Sequence, residues 1–186
     1  MRILAVSGSL RAGSFNTSLL RAALEAAPEG VELELWEGLG DLPLYDETLE
    51  GGDVPASVRR LREAWGTADA ILFSTPEYNG SIPGGLKNAI DWASRPRLEG
   101  VLRNKPVAVV GASTGQFGAL WAQQDLKRIL GVAGARVVGT EIPVARAHER
   151  FDAEGRLLDG EIFEQLRLHL TTLASEAVAV PERVAA

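Results

Sequence analysis

Short apolar runs that alternate with longer amphipathic segments predict an α/β domain: a parallel sheet covered by helices on both faces. Ile3-Leu4-Ala5-Val6, Ala70-Ile71-Leu72-Phe73 and Val107-Ala108-Val109-Val110 are apolar at every position, the pattern of strands buried on both sides. Each run is followed by a Gly- and Ser-rich or Gly- and Pro-rich stretch and then by a segment with helical spacing. Strand–helix alternation of this kind builds parallel rather than hairpin-connected sheets.

The elements follow in order. The run Ile3 to Val6 is stopped by Ser7-Gly8-Ser9, and Ser14 to Ala27 carries Leu19, Leu20, Ala23 and Leu24 at helical spacing before Pro28-Glu29-Gly30 ends it. Val31 to Trp36 alternates Val31, Leu33 and Leu35 with Glu32 and Glu34, which predicts a half-exposed strand near a sheet edge. Gly38 to Pro55 reads as a long loop, and Val54 to Trp65 returns to helical spacing through Val58, Leu61 and Trp65. After the second buried run come a loop, Ser74 to Gly85, and a short helix, Leu86 to Trp92. The third buried run leads into a helix over Ala119 to Leu130, a fourth buried run at Arg136-Val137-Val138 and a closing helix from Ile162 to Val178. Five strands and about five helices fit the flavodoxin-like doubly wound order 2-1-3-4-5 in one domain over residues 1–180, with a frayed tail at 181–186.

Composition narrows the chemistry. The 186 residues contain no cysteine, which removes disulfides, thiol nucleophiles and thiolate metal sites. Two histidines, His148 and His169, lack a metal-ligand spacing with carboxylates. The net charge of −6, with scattered arginines, argues against a nucleic-acid partner. There is no apolar run long enough for a membrane helix, and Met1 to Ser9 is too short for a signal peptide, so the expected location is the cytoplasm.

In a sheet of order 2-1-3-4-5, ligands bind beyond the carboxyl ends of the strands, which singles out three loops. The first, Ser7 to Thr17, is neither a dinucleotide fingerprint nor a Walker A loop. It offers the hydroxyls of Ser9, Ser14 and Thr17, the amide of Asn16 and the guanidinium of Arg11 at the start of a helix, a set suited to a terminal phosphate. Capping and turn roles are the competing reading of Ser14 and Asn16. The second, Ser74-Thr75-Pro76-Glu77-Tyr78-Asn79-Gly80-Ser81-Ile82-Pro83-Gly84, has an irregular backbone whose free N–H and C=O groups suit the edge of a flat heteroaromatic ring. The third, Gly111 to Gly118, adds small residues and matches the G-x-S-x-G pattern at Ser113.

Taken together, Ser7-Gly8-Ser9-Leu10-Arg11 with Ser14 and Asn16, and Pro76 to Gly84 leading into Leu86-Lys87-Asn88-Ala89-Ile90-Asp91-Trp92, resemble the NADPH-dependent FMN reductase family, which includes bacterial quinone, chromate and azo-dye reductases. The resemblance spans about residues 2–140. It implies a flavodoxin-like fold holding FMN without a covalent link. Ser9, Arg11, Ser14, Asn16 and Thr17 would hold the phosphate, while Pro76, Glu77, Tyr78, Asn79 and Gly80 would hold the flavin ring and ribityl chain. Ser113 and its neighbours would close the far edge of the ring. It also implies a homodimer or homotetramer in which a neighbouring subunit helps wall the site. One departure stands out. Many relatives carry Gly-Gly-x-Arg after the third loop, where this chain has Gly118-Ala119-Leu120-Trp121. A nicotinamide-nucleotide or anionic-substrate contact made there by relatives is therefore not expected, and Trp121 is open to a role as an interface anchor.

The expected activity is hydride transfer from NAD(P)H through FMN to a quinone-like or other small electron acceptor, in a ping-pong sequence. The flavin carries the chemistry, so no side chain is required as an acid or base. Two alternatives compete: a flavodoxin-type electron carrier without its own nicotinamide turnover, and a serine hydrolase that uses Ser113 with His148 or His169.

Overall fold

The computed structural model describes residues 1–179; the segment expected to fray lies outside them. Four principal strands, β1 (Arg2–Ser7), β2 (Glu32–Trp36), β3 (Ala70–Thr75) and β4 (Pro106–Ala112), pair in parallel with two short ones, β5 (Arg136–Val137) and β6 (Pro143–Val144). The order is β2-β1-β3-β4-β5, as the strand–helix alternation predicts. Among the described residues five helices cover the sheet: α1 (Phe15–Glu25), α2 (Ala56–Thr67), α3 (Gly84–Ala93), α4 (Leu120–Val132) and α5 (Gly160–Val178).

Register explains why the strands are apolar throughout. Ala5 sits beside Leu72 and Leu72 beside Ala108, so alternate residues of three adjacent strands line up on one face. Leu4, Val6, Ile71, Phe73, Val107 and Val109 meet α2, α3 and α4, where Trp65 packs edge-on against both Phe73 and Trp36. Ile3, Ala5, Leu72, Ala108 and Val110 meet α1 and α5 on the other face. A polar residue in the middle of β3 or β4 would therefore have no solvent side to point to. In the edge strand β2, Glu32 and Glu34 are exposed, as the alternation requires.

The fifth strand departs from expectation. The anticipated run Arg136-Val137-Val138 pairs with β4 over only two residues, and a sixth strand, β6, resumes alongside β4 further on. Between Val107 and Gly111 of β4, the neighbouring chain travels from Val137 to Pro143, two residues more than the ladder accommodates. The Gln123 side chain, fully buried on α4, accepts from Ile142 N (3.0 Å) and takes the place of a strand partner. No periodic apolar run marks β6, because Pro143 and Val144 are its whole extent.

The long loop before α2 contains two single 3₁₀ turns, Leu39–Asp41 and Glu47–Leu49. It is fastened to α3: Asn88 Nδ2 and Trp92 Nε1 both donate to Pro43 O (2.9 and 2.8 Å), and Tyr45 N donates to Asn88 Oδ1 (2.8 Å). Asn88 and Trp92 of the Leu86–Trp92 motif thus fix this loop to the helix. α3 itself begins earlier than its apolar spacing suggests, at Gly84.

Candidate functional site

The parallel strands all deliver their carboxyl ends to one edge, where the loops after β1, β3 and β4 meet. The meeting is stitched by one side chain. Asn16, 3% exposed in the first turn of α1, donates from Nδ2 to Ala112 O, and its Oδ1 accepts from Ala112 N and from Ser74 Oγ, all at 2.9 Å. Its amide thereby ties α1 to the ends of β3 and β4. Asn16 thus fixes the placement of the three loops relative to one another.

Ser14 caps α1, its Oγ accepting from Asn16 N (3.2 Å) and Thr17 N (3.5 Å). As an acceptor in both bonds, the hydroxyl keeps its proton for a third partner. Thr17 Oγ1 shares a hydrogen bond with Ser7 Oγ (3.0 Å), and Ser9 Oγ accepts from Arg11 N (3.4 Å). The exposed Arg11 guanidinium is steadied by donation to Gly13 O (3.0 Å) and by lying 5.5 Å over the Phe15 ring. No carboxylate occurs between Ser7 and Ser18. Neutral hydroxyls, one cation and a helix N-terminus suit a phosphate and disfavour a cation.

In the second loop Tyr78 N donates to Ser81 O (3.0 Å) and Ser81 N to Tyr78 O (3.1 Å), closing a tight turn with Asn79 and Gly80 at its tip. Both tip residues have positive φ, 53° and 75°, the signature of a type I′ turn and the reason for an Asn-Gly pair there. Pro76 is buried beneath the turn, while Tyr78, Asn79 and Gly80 are exposed. The Glu77 carboxylate turns away from the tip: Oε2 accepts from Ala122 N in the first turn of α4 (3.1 Å). α4 has no side-chain cap of its own, since Ala119 stands at that position, so Glu77 supplies the missing acceptor. A second tie runs from Ser81 Oγ to Asp125 Oδ2 (2.5 Å). The Ser81 hydroxyl, and then Arg128, hold the Asp125 carboxyl below its ordinary value.

Ser113, half-buried in the third loop, accepts at Oγ from Gly115 N (3.0 Å). Further on, Gly118 has φ +56°, and a Cβ there would come within 2.5 Å of the Pro143 backbone, so only glycine fits. Among the described residues neither imidazole hydrogen-bonds to Ser113. His148 lies 3.7 Å from Glu149, and His169 is buried on α5 against Gly139 with Nε2 unpartnered. Burial holds the His169 imidazole down to about pKa 4, and the nearby Lys127 cation adds to the effect.

One part of the site escaped sequence reasoning. Residues 144–151 form an outer wall: Ser113 N donates to Val144 O (3.1 Å), Ala147 N to Ser113 O (3.0 Å) and Arg146 N to Gly115 O (3.0 Å). Phe151 packs on Phe15 with ring centroids 5.7 Å apart. These contacts are mostly backbone, and Val144, Ala147 and Phe151 follow no period, so no sequence signal marks them. A separate cavity of about 430 Å³ lies at the other end of the sheet, between the last turns of α3 and α4. Among the described residues no cluster has the makings of a metal site, and no helix is long and apolar enough to cross a membrane.

The family model for NADPH-dependent FMN reductases matches residues 1–149, the stretch that holds all three loops. The chain belongs to the NADPH-dependent FMN reductase family. Similar family proteins include an NAD(P)H-dependent FMN reductase of Pseudomonas aeruginosa, 42% identical over 174 residues that cover 93% of each chain. A quinone reductase of Escherichia coli K12 is 40% identical over 139 residues, 74% of this chain and 73% of that one. A solved structure of an NAD(P)H:acceptor flavoenzyme from Paracoccus denitrificans superposes with a TM-score of 0.82 at 35% identity, covering 94% of this chain and 98% of the other. As a family member the chain is an oxidoreductase, and the family's cofactor is FMN with NAD(P)H as donor.

Proposed function

We propose that this protein is an NAD(P)H:acceptor oxidoreductase that takes a quinone-like molecule as its electron acceptor and works in a ping-pong sequence. The observation that carries the reading is the convergence, beyond one edge of the sheet, of a carboxylate-free donor loop and a backbone-rich turn. In that reading Ser9, Arg11, Ser14 and Thr17 hold the FMN phosphate, with Asn16 setting the loop around it. Pro76, Glu77, Tyr78, Asn79 and Gly80 line the ring and ribityl chain largely through their backbone, and Ser113 closes the far edge.

Bound FMN supplies a carrier for two electrons as hydride. Overall, NAD(P)H, one solvent proton and a quinone yield NAD(P)⁺ and a hydroquinone. The chain's own residues position and shield, and no side chain at the site is set up as a proton donor. With one ring site and no separate nucleotide fingerprint, donor and acceptor take turns at the same place. A single domain over 1–180, a homodimer or homotetramer and a cytoplasmic location belong to the same proposal.

The test is direct. The purified protein should release FMN on denaturation and oxidise NADPH or NADH when benzoquinone is added, with parallel lines in double-reciprocal plots against the two substrates. Flavin without nicotinamide oxidation would make it an electron carrier. Ester hydrolysis without flavin would restore the Ser113 hydrolase.

A further inference from the structure

Among residues given no contact with the flavin, the site's rim carries an exposed aromatic pair with no packing explanation. Phe117, in the third loop, and Trp121, in the first turn of α4, lie against each other with ring centroids 4.7 Å apart and planes tilted by 49°. Each is left about half exposed, 47% and 48%, and Tyr78 on the second loop is 53% exposed. Large aromatic surface left in water forgoes the stabilisation that burying it would bring.

The pair is also held in place. Trp121 directly precedes Ala122, whose N–H is bonded to the Glu77 carboxylate, and Ser81 is tied to Asp125 one turn along the same helix. Both ties originate in the loop whose tip is Tyr78-Asn79-Gly80. They fix the start of α4, and with it the Trp121 backbone, to the loop assigned to the ring. Gly118, which no other residue can replace, sets the turn between the two aromatic residues. The local carboxylates are already engaged, Glu77 by α4 and Asp125 by Ser81 and Arg128. The wall therefore offers ring surface rather than free charge.

We propose that Phe117 and Trp121 form an aromatic wall against which a planar aromatic acceptor rests beside the flavin position, which makes Trp121 a residue that determines acceptor specificity. The proposal rests on the reductase reading above. It commits the pair to small planar aromatic molecules; a second copy of the chain seated on the same rings is an outcome of the test.

The experiment compares parent, Trp121→Ala, Trp121→Phe and Phe117→Ala as FMN-loaded full-length proteins. Two acceptors are used: a naphthoquinone, which stacks, and hexacyanoferrate(III), which has no aromatic face. Aromatic pairing is strong enough for Trp121→Ala to raise the naphthoquinone KM by about 5- to 10-fold. The expectation is that kcat, the limiting rate at which saturating NADPH bleaches the bound flavin without acceptor, and the hexacyanoferrate KM stay within about twofold. Trp121→Phe should restore most of the naphthoquinone KM, and Phe117→Ala should reproduce part of the loss. An unchanged naphthoquinone KM in Trp121→Ala overturns the wall, as does an equal loss for both acceptors. A change in sedimentation mass without any change in acceptor KM assigns the rings to an interface between copies and also overturns it. Failure of the parent to oxidise NADPH overturns the reductase reading and the wall together, whereas intact oxidation with an unmoved KM removes the wall alone.

Discussion

Arg11 is the cation of the first loop, and its replacement by alanine tests the phosphate assignment most sharply. No carboxylate pairs with it among the described residues; its guanidinium donates to Gly13 O at 3.0 Å and lies over Phe15. That contact steadies the side chain without neutralising it, so its charge is available to an anion. A charge-assisted hydrogen bond to a phosphate contributes roughly 1.5–3 kcal/mol, which converts to a loss of about 10- to 150-fold in FMN affinity for Arg11→Ala. The fold should barely notice. Arg11 is exposed and its stacking on Phe15 is of the surface kind, worth roughly 0.5–1 kcal/mol. The assay is titration of apoprotein by quenching of flavin fluorescence, with FMN and riboflavin run side by side. Riboflavin shares the ring and lacks the phosphate. Arg11→Ala should weaken FMN and leave riboflavin within about twofold of the parent, since riboflavin offers the guanidinium no phosphate to meet. Equal losses for both ligands, or none for either, would refute the assignment.

Three further outcomes are expected. Gly80→Val should weaken FMN retention through backbone strain: Gly80 has φ +75° with open space around its Cβ position, and a β-branched residue there is an outlier whatever the room. Asn79→Ala, at φ 53°, should shift retention the same way, and full flavin occupancy of either folded variant after dialysis would contradict this. Ser113→Ala should keep NAD(P)H oxidation within about tenfold, because losing one neutral hydrogen bond costs roughly 0.5–1.5 kcal/mol; complete loss with flavin still bound would revive the nucleophile. For His169, the folded pKa of about 4 lies below the ordinary 6.5, so the unfolded chain binds the extra proton first. Stability should therefore fall as pH drops from 6.5 towards 4, by about 3 kcal/mol in all at ~1.4 kcal/mol per pH unit. His169→Leu should flatten that part of a Tm-against-pH curve, and an unchanged slope would place the acid sensitivity elsewhere.

Much of this molecule is written in its order of residues. Ile3 to Val6, Ala70 to Phe73 and Val107 to Val110 are legible as strands because each residue must find an apolar face on one side or the other of a doubly covered sheet. Once those strands are parallel, the loops after them must share an edge, so the location of the candidate site follows from the alternation. Ser14 as a cap and Asn79-Gly80 as a left-handed turn are equally local, since both obey rules of short-range backbone geometry. Side-chain direction is another matter. The sequence groups Asn16 with the phosphate loop and Glu77 with the ring loop, yet Asn16 faces Ala112, 96 residues away, and Glu77 caps a helix 45 residues away. The interrupted fifth strand depends on Gln123 reaching Ile142, and the wall at 144–151 depends on backbone bonds to Ser113 and Gly115. Local spacing reports which face a residue occupies within its own element. Which unpaired polar group waits opposite is decided only when separate elements meet, because a buried donor or acceptor must be satisfied by whatever the packed fold brings within reach.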